Sequence, residues 1–292
     1  MRRALLLPVV LLCAASTSAA DNTMALHLQA RDLLRRQQVA AALPLFERCV
    51  AAEPDNSKHR QWLGRALGLQ TAQKGITAGL GGVNKVKAEF ERAIKLDPNN
   101  LEARHDLAVF YKVAPGLFGG SNAKANEQVA IIRQRDPALA TQIEADFLAR
   151  DKKTKEAIAL HQKSTSQNPA RPRPHVSIAI LHQKEKDWDN AFAALERALA
   201  IDSRYPIALY HIGRTAALSG QQLERGEKSL RTYIGLPIRP ELEYPPLSGA
   251  HHQLGLILEK QGNADAARAE YQKALSIYPA HKDARTALAK LK

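Results

Sequence analysis

Ser248 to His281 reads SGAHHQLGLILEKQGNADAARAEYQKALSIYPAH. Two amphipathic runs flank a polar turn at Gln261-Gly262-Asn263-Ala264. Leu254, Gly255 and Leu258 share one face of the first run, and Ala267, Tyr271 and Ala274 share one face of the second. That recurrence every three to four residues predicts two helices. Pro279 ends the second helix. Gly255, Ala267 and Ala274 let the two helices approach closely, and Tyr271 fills the space toward the neighbouring unit. The stretch therefore reads as a helical hairpin with one buried side, which needs further hairpins to cover it.

Small residues at the eighth, twentieth and twenty-seventh places and proline at the thirty-second make this unit resemble the tetratricopeptide repeat (TPR). The period of that repeat is about 34 residues. Imperfect copies run through the chain. The first, from about Thr23 to Asn56, has Ala30, Ala42, Phe46, Cys49 and Pro54 at the marker places. The second has Leu63-Gly64, Phe90, Ala93 and Pro98, with an insertion of about ten residues within Thr71 to Asn84. The third has Leu107-Ala108, Tyr111, Ala125, Ile132 and Pro137, with a shorter insertion at Pro115 to Ser121. The fourth, Ala138 to Arg171, is degenerate, with His161 and Ser164 at apolar places. Its closing run, Pro169 to Pro174, is stiff and suits a hinge between two halves.

The fifth copy is regular, with Ala179, Ala191, Leu195 and Ala198. The sixth is shifted by about one residue, so that Gly226, Leu230 and Tyr233 take the marker roles. A proline-rich connection, Gly235 to Leu247, separates it from the seventh. Lys282 to Lys292 reads as a solvating cap. The resemblance implies an all-α, right-handed α-solenoid of about seven hairpins plus a C-terminal capping helix. Four repeats would form an N-terminal array over residues 21–171, and three with the cap a C-terminal array over residues 172–292.

Composition agrees. Hydrophobic residues make up 45% of the chain but aromatics only 5%, which suits many thin helix–helix contacts better than one large core. Residues 1–20 differ: Arg2 and Arg3 precede an apolar run from Ala4 to Ala15, and Ser18-Ala19-Ala20 precedes Asp21. This pattern resembles a bacterial-type secretory leader cleaved near Ala20, and predicts a periplasmic or secreted protein. No other segment is apolar for long enough to span a bilayer. With Cys13 lost in the leader, Cys49 is the sole cysteine and reads as a buried, inert thiol.

The formal charge is +13. Without Arg2 and Arg3 the balance is 40 basic against 29 acidic side chains, or +11. That excess on an exported protein points to acidic proteins or peptides, anionic polymers or membrane surfaces as partners rather than to nucleic acid. In TPR proteins the first helix of each hairpin lines a concave groove. The resemblance places His27, Arg31, Arg35, Lys58, Gln61, Arg65, His105, Lys112, Arg150, Arg173, Lys184, Tyr210, Arg214, His252 and Lys260 on that wall.

Two glycine-bearing inserts are a second feature. Gly81, Gly82 and Lys85 stand in one, and Gly119, Gly120, Ser121 and Lys124 in the other. Each reads as a turn leading into a helix, with Ser121 or Asn122 as an N-cap. Backbone N–H groups beside a lysine could alternatively hold an anion there. The Pro115-to-Ala125 pattern is similar to inserts in exported proteobacterial TPR proteins. His251-His252 lacks the i, i+4 partner of a helical metal site, so no metal and no cofactor are expected. Neither a nucleophile elbow nor a zincin motif is present, and no enzyme activity is expected.

The expected function is that of a non-catalytic scaffold holding a partner protein or an acidic extended peptide in a basic groove. The alternative is a structural subunit of a cell-envelope assembly, for polysaccharide export, outer-membrane insertion or division. Its convex face and the Gly235–Leu247 connection would then make the contacts.

Overall fold

The computed structural model describes residues 10–75, 79–239 and 242–291. Of the expected leader, residues 1–9 lie outside this set. The described residues form fifteen α-helices with no strand. They pair as hairpins: α1 (Val10–Arg35) with α2 (Val39–Ala52), α3 (Ser57–Lys74) with α4 (Gly79–Leu96), and α5 (Leu101–Val113) with α6 (Asn122–Arg133). Then come α7 (Pro137–Arg150) with α8 (Thr154–Gln167), and α9 (Arg173–Lys184) with α10 (Trp188–Ile201). The last pairs are α11 (Pro206–Ser219) with α12 (Leu223–Ile234), and α13 (Leu247–Lys260) with α14 (Ala264–Ile277). The cap is α15 (Lys282–Lys290). No helix among the described residues is long and apolar enough to cross a membrane.

Local chemistry sets the helix starts. Asn56, Asn100, Ser121, Asp136, Asp187 and Asn263 each accept a backbone N–H from the first turn of the helix that follows. Pro174 sits in the first turn of α9, where its missing N–H costs nothing. The marker residues then close the hairpins. Ala30, Ala42, Ala93, Ala198 and Ala274 are fully buried, as are Phe46, Tyr233 and Tyr271. A Cβ on Gly255 would lie 2.4 Å from the Tyr271 ring, and one on Gly213 would lie 2.1 Å from Leu230. These helices meet at distances that only glycine permits.

The buried core forms three clusters. One spans Ala30 to Ala66, a second Val86 to Phe147, and the third Val176 to Tyr271. The last two stop on either side of α8, where His161 and Ser164 are buried in place of apolar side chains. Ser164 donates to the Ala138 carbonyl at 2.8 Å, so the hydroxyl is satisfied and the degenerate hairpin still forms.

The first insert departs from the expected turn. Gly81, Gly82 and Lys85 lie inside α4, not in a loop. Val83, Val86, Phe90 and Ala93 keep one apolar face along the helix, and that face carries the helical pattern back through the glycines. The insertion thus lengthens α3 and α4 to 18 residues each, against 14 in most other helices. Four extra residues are about one turn, or roughly 6 Å.

The second insert is a true turn. Gly116–Phe118 forms a short 3-10 helix, and Gly119 has φ +88°. A Cβ on Gly120 would collide with the Ala114 carbonyl oxygen at 1.7 Å. Ser121 caps α6 by accepting the Lys124 N–H at 3.3 Å. The Lys124 ammonium lies 5.7 Å from the Tyr111 ring centre.

Candidate functional site: the inner channel and its strap

The first helices of the hairpins face inward, and their arginines set the character of the channel. On α1, Arg31 and Arg35 stand one helical turn apart, and both are buried. Arg65 on α3 and Arg173 on α9 point into the same space. Four guanidinium groups that converge, three of them at low exposure, must be neutralised or hydrogen-bonded. The partner is internal. The proline-rich connection between α12 and α13 crosses the inner face as a strap and reaches α1, 201 residues away in sequence at the Arg35–Leu236 contact.

Arg35 donates to the carbonyls of Leu236 at 3.0 Å and Ile234 at 2.9 Å. Its guanidinium also lies 5.4 Å from the Tyr233 ring centre and 5.6 Å from that of Tyr244. Arg31 donates to the carbonyls of Arg239 and Leu242. Trp62 carries the Arg31 guanidinium at 4.0 Å and that of Arg65 at 4.7 Å. The strap is braced from within as well. Tyr244 donates to the Pro237 carbonyl at 2.8 Å, Tyr233 donates to the Pro245 carbonyl, and Arg239 pairs with Asp202 at 2.6 Å. Ser248 donates to Gln37 where α13 begins.

Glu243 is the electrostatic keystone. Its carboxylate meets Arg173 at 2.9 Å and Arg65 at 3.5 Å, so one strap residue ties α3 to α9. The side chain keeps 48% of its surface open to the channel. Burial pushes its pKa up, but Arg173 and then Arg65 more than offset that and hold it at about 2. Burial and the nearby Arg65 lower Arg31 to about 10, and Arg31 remains charged at neutral pH. Burial likewise works against the charge on Arg65, but Asp106 at 2.7 Å and Glu243 outweigh it and the net shift is upward.

Beside the strap the channel opens into a cavity of about 1270 Å³. Leu69, Val83, Val109, Val113 and Phe118 line one side, and Arg31, Trp62, Arg65, Glu243 and Tyr244 line the other. Leu69 and Val113 are each about half exposed there. The helical turn that the insertion adds to α3 supplies Thr71, Ala72 and Gln73 to this wall.

Residues 27–70 and 248–281 match family models described as the tetratricopeptide repeat. Both segments are similar to tetratricopeptide repeats. No curated protein matches the chain. Among solved structures, the chain is similar to PilW, a widely conserved type IV pilus biogenesis factor. That match has 21% identity and TM-score 0.51, covering 80% of this chain and 98% of PilW. It is also similar to a chain of the APC/C heterotetramer Cut9-Hcn1, at 15% identity and TM-score 0.56, over 90% of this chain and 48% of that one. The human IFIT1 dimer with PPP-AAAA aligns at 15% identity and TM-score 0.54, over 86% of this chain and 58% of that one. The chain thus spans about half the length of the last two. At these identities the likeness is one of fold. The fold is an all-α tetratricopeptide solenoid.

Within that solenoid the residues expected on the groove wall divide into four groups. Arg31, Arg35, Arg65 and Arg173 converge on the strap, and His105 stands near enough to Glu243 to help hold its proton off. Others are engaged with their own neighbours: Gln61 with Asp106 at 2.8 Å, Lys112 with Asp151 at 2.8 Å, and Arg214 with Gln183 at 2.8 Å. Tyr210 packs against Tyr233 and His211. Lys58, Arg150, Lys184 and Lys260 are exposed and take no part in the strap contacts. Acidic side chains stand among these arginines: Arg65 pairs with Asp106, Glu243 and Glu102.

His27 and His252 also depart from the groove. His252 is buried against Tyr271 and His281, and burial followed by the nearby His281 lowers its pKa to about 4. His27 turns toward α2 and α3. It packs on Phe46 and Trp62, and its Nδ1 lies 3.1 Å from the Nδ1 of His59. Burial, then the nearby His59, lowers the His27 pKa to about 3, and burial lowers that of His59. Cys49 completes this group. Its thiol donates to the Thr23 carbonyl at 3.6 Å, and burial followed by Glu53 raises its pKa.

Proposed function

We propose that this protein is a non-catalytic scaffold that holds an extended segment of a partner protein in its inner channel. The partner's apolar side chains fill the cavity beside the strap, and an acidic residue competes with Glu243 for Arg65 and Arg173. Tetratricopeptide repeats act in general as protein-interaction scaffolds, which supports the coarse reading. The observation that carries the finer one is the strap itself. Residues 242–246 are an extended, acidic, proline-bearing segment lying on the inward arginines, the kind of ligand the channel is suited to hold. The leader expected at residues 1–20 would put this work in the cell envelope.

An intramolecular ligand has a high effective concentration, in the millimolar range for a short tether. An acidic peptide binding in trans must therefore outcompete the strap. Titration of short peptides, each carrying two apolar residues and one glutamate, checks this by fluorescence anisotropy. Binding is expected to be weak in the wild type and at least about tenfold tighter in Glu243→Ala. It is expected to disappear when Leu69 and Val113 are both changed to Glu. Equal affinity in wild type and Glu243→Ala would discard the competition, and indifference to the Leu69 and Val113 changes would discard the cavity.

A further inference from the structure

The cluster formed by His27, Cys49 and His59 plays no part in the channel. It joins α1, α2 and α3, and its donor atoms all lie within 4.8 Å of one another. All three residues are buried, Cys49 fully. The two imidazoles approach through Nδ1, 3.1 Å apart. With metal–nitrogen bonds of about 2.0 Å, two nitrogens on one ion stand roughly 3.3–3.5 Å apart. A shift of a few tenths of an ångström in the rings satisfies that spacing.

A second, independent feature points the same way. The other nitrogen of His59, Nε2, lies 3.2 Å from the Glu53 carboxylate, and Asn56 donates to the same carboxylate oxygen at 2.8 Å. A carboxylate on the far nitrogen of a ligating imidazole fixes the tautomer and raises the basicity of the nitrogen that faces the ion. Here it holds Nε2 as the donor and leaves Nδ1 directed at His27 and Cys49.

We propose that His27 Nδ1, His59 Nδ1 and Cys49 Sγ form a three-coordinate site for copper(I). The donor set is one soft thiolate with two imidazoles, which suits copper and zinc among the first-row metals. The coordination number separates them. A structural zinc takes four strong ligands, and an enclosed apolar pocket with three falls one short. Trigonal His₂Cys ligation, with at most a weak backbone oxygen along the axis, is a copper arrangement. The Thr23 carbonyl, which accepts from the thiol at 3.6 Å, is a backbone oxygen beside Sγ. Charge agrees as well: one monovalent cation with one thiolate is neutral, the form that burial tolerates. Loading exchanges the thiol proton for the ion, so one proton is released for each copper bound, with no change in oxidation state.

The full chain titrated anaerobically with copper(I), against a chromophoric copper(I) chelator, tests the site. One equivalent is expected to be withheld from the chelator, with a rise in melting temperature at that stoichiometry. Cys49→Ala separates binding from folding. Ala93, Ala198 and Ala274 stand fully buried at the corresponding repeat position, so alanine is native to this packing. That variant is expected to fold and to lose copper affinity by at least about 100-fold, and Glu53→Gln by about 10- to 100-fold. Copper passing entirely to the chelator would overturn the proposal, as would a Cys49→Ala chain that binds as tightly as the wild type. Zinc retained at one equivalent in the presence of copper(I) would overturn the assignment of the ion.

Discussion

The second hairpin and the seventh are built from the same pattern and end differently. In the seventh, Gly255 admits the Tyr271 ring, and α13 and α14 stop together at 14 residues each. In the second, Gly64 admits Phe90 in the same way, with a Cβ there only 2.7 Å from the ring. But α3 and α4 run on for another turn. Along that turn of α4 a Cβ on Gly82 would lie 3.2 Å from the Thr71 hydroxyl, whereas one on Gly81 would meet nothing within 4 Å. The extra turn of α3 walls a cavity through Thr71, Ala72 and Gln73. One repeat is spent on closure and the other on making room, and the strap lies between the two.

The largest expected effect concerns that strap. If it is a structural part of the solenoid, Arg35→Ala removes two charge-assisted hydrogen bonds and leaves the Leu236 carbonyl short of a partner. The loss is about 2–4 kcal/mol, read as a lower urea midpoint. Amide exchange at Leu242 is expected to quicken at the same time. A change within about 0.5 kcal/mol, the usual range for a surface substitution, would show that the strap merely rests on the wall.

A smaller effect tests the difference in packing. Gly255→Ala places a methyl 2.4 Å from the Tyr271 ring, and overpacking of that kind costs about 1–3 kcal/mol. The matched change Gly81→Ala has open space around it and replaces a helical glycine, so it is expected to stabilise by about 0.5 kcal/mol. Thermal melts of the two variants should move in opposite directions. If both fall, the added turn of α4 is packed as tightly as the seventh hairpin, and the contrast between them fails.

Most of the fold was legible because each repeat announces itself locally. Gly255, Ala267, Ala274 and Pro279 lie within one period, and their spacing follows from helix geometry alone. The first insert departs from its sequence pattern for a physical reason: its glycines suggest a turn, yet Val83 and Val86 extend the apolar face of α4 and the face prevails. The arginines of the channel were legible as a group because they recur on the first helices. Their partner was not, since nothing in Glu241 to Pro246 indicates which helix the connection will cross. That depends on the superhelix bringing the sixth hairpin back to the first. The His27–Cys49–His59 group hides similarly, at separations of 22 and 10 residues that match no short metal motif. Cys49 at the twenty-seventh place of its repeat was the available hint, because that place faces the junction with the next hairpin.

A further effect is a matter of pH and isolates Glu243. Its folded pKa, about 2, lies below the ordinary carboxylate value of 4.5. Such a group contributes its stability fully above the ordinary value and loses it as pH falls toward the folded one. The comparison to make is wild type against Glu243→Gln, each unfolded in urea across the acid range. Because half of the carboxylate side chain is open to the channel, screening keeps the difference at about 1 kcal/mol. It is expected to be constant from pH 7 to about 4.5 and to shrink steadily from there toward pH 2. Added salt should reduce the plateau, since the pair with Arg65 at 3.5 Å and part of that with Arg173 face the channel. A difference that persists unchanged to pH 2 would mean that Glu243 holds the strap by packing alone. The arginines would then answer to the backbone carbonyls of the strap and not to its charge.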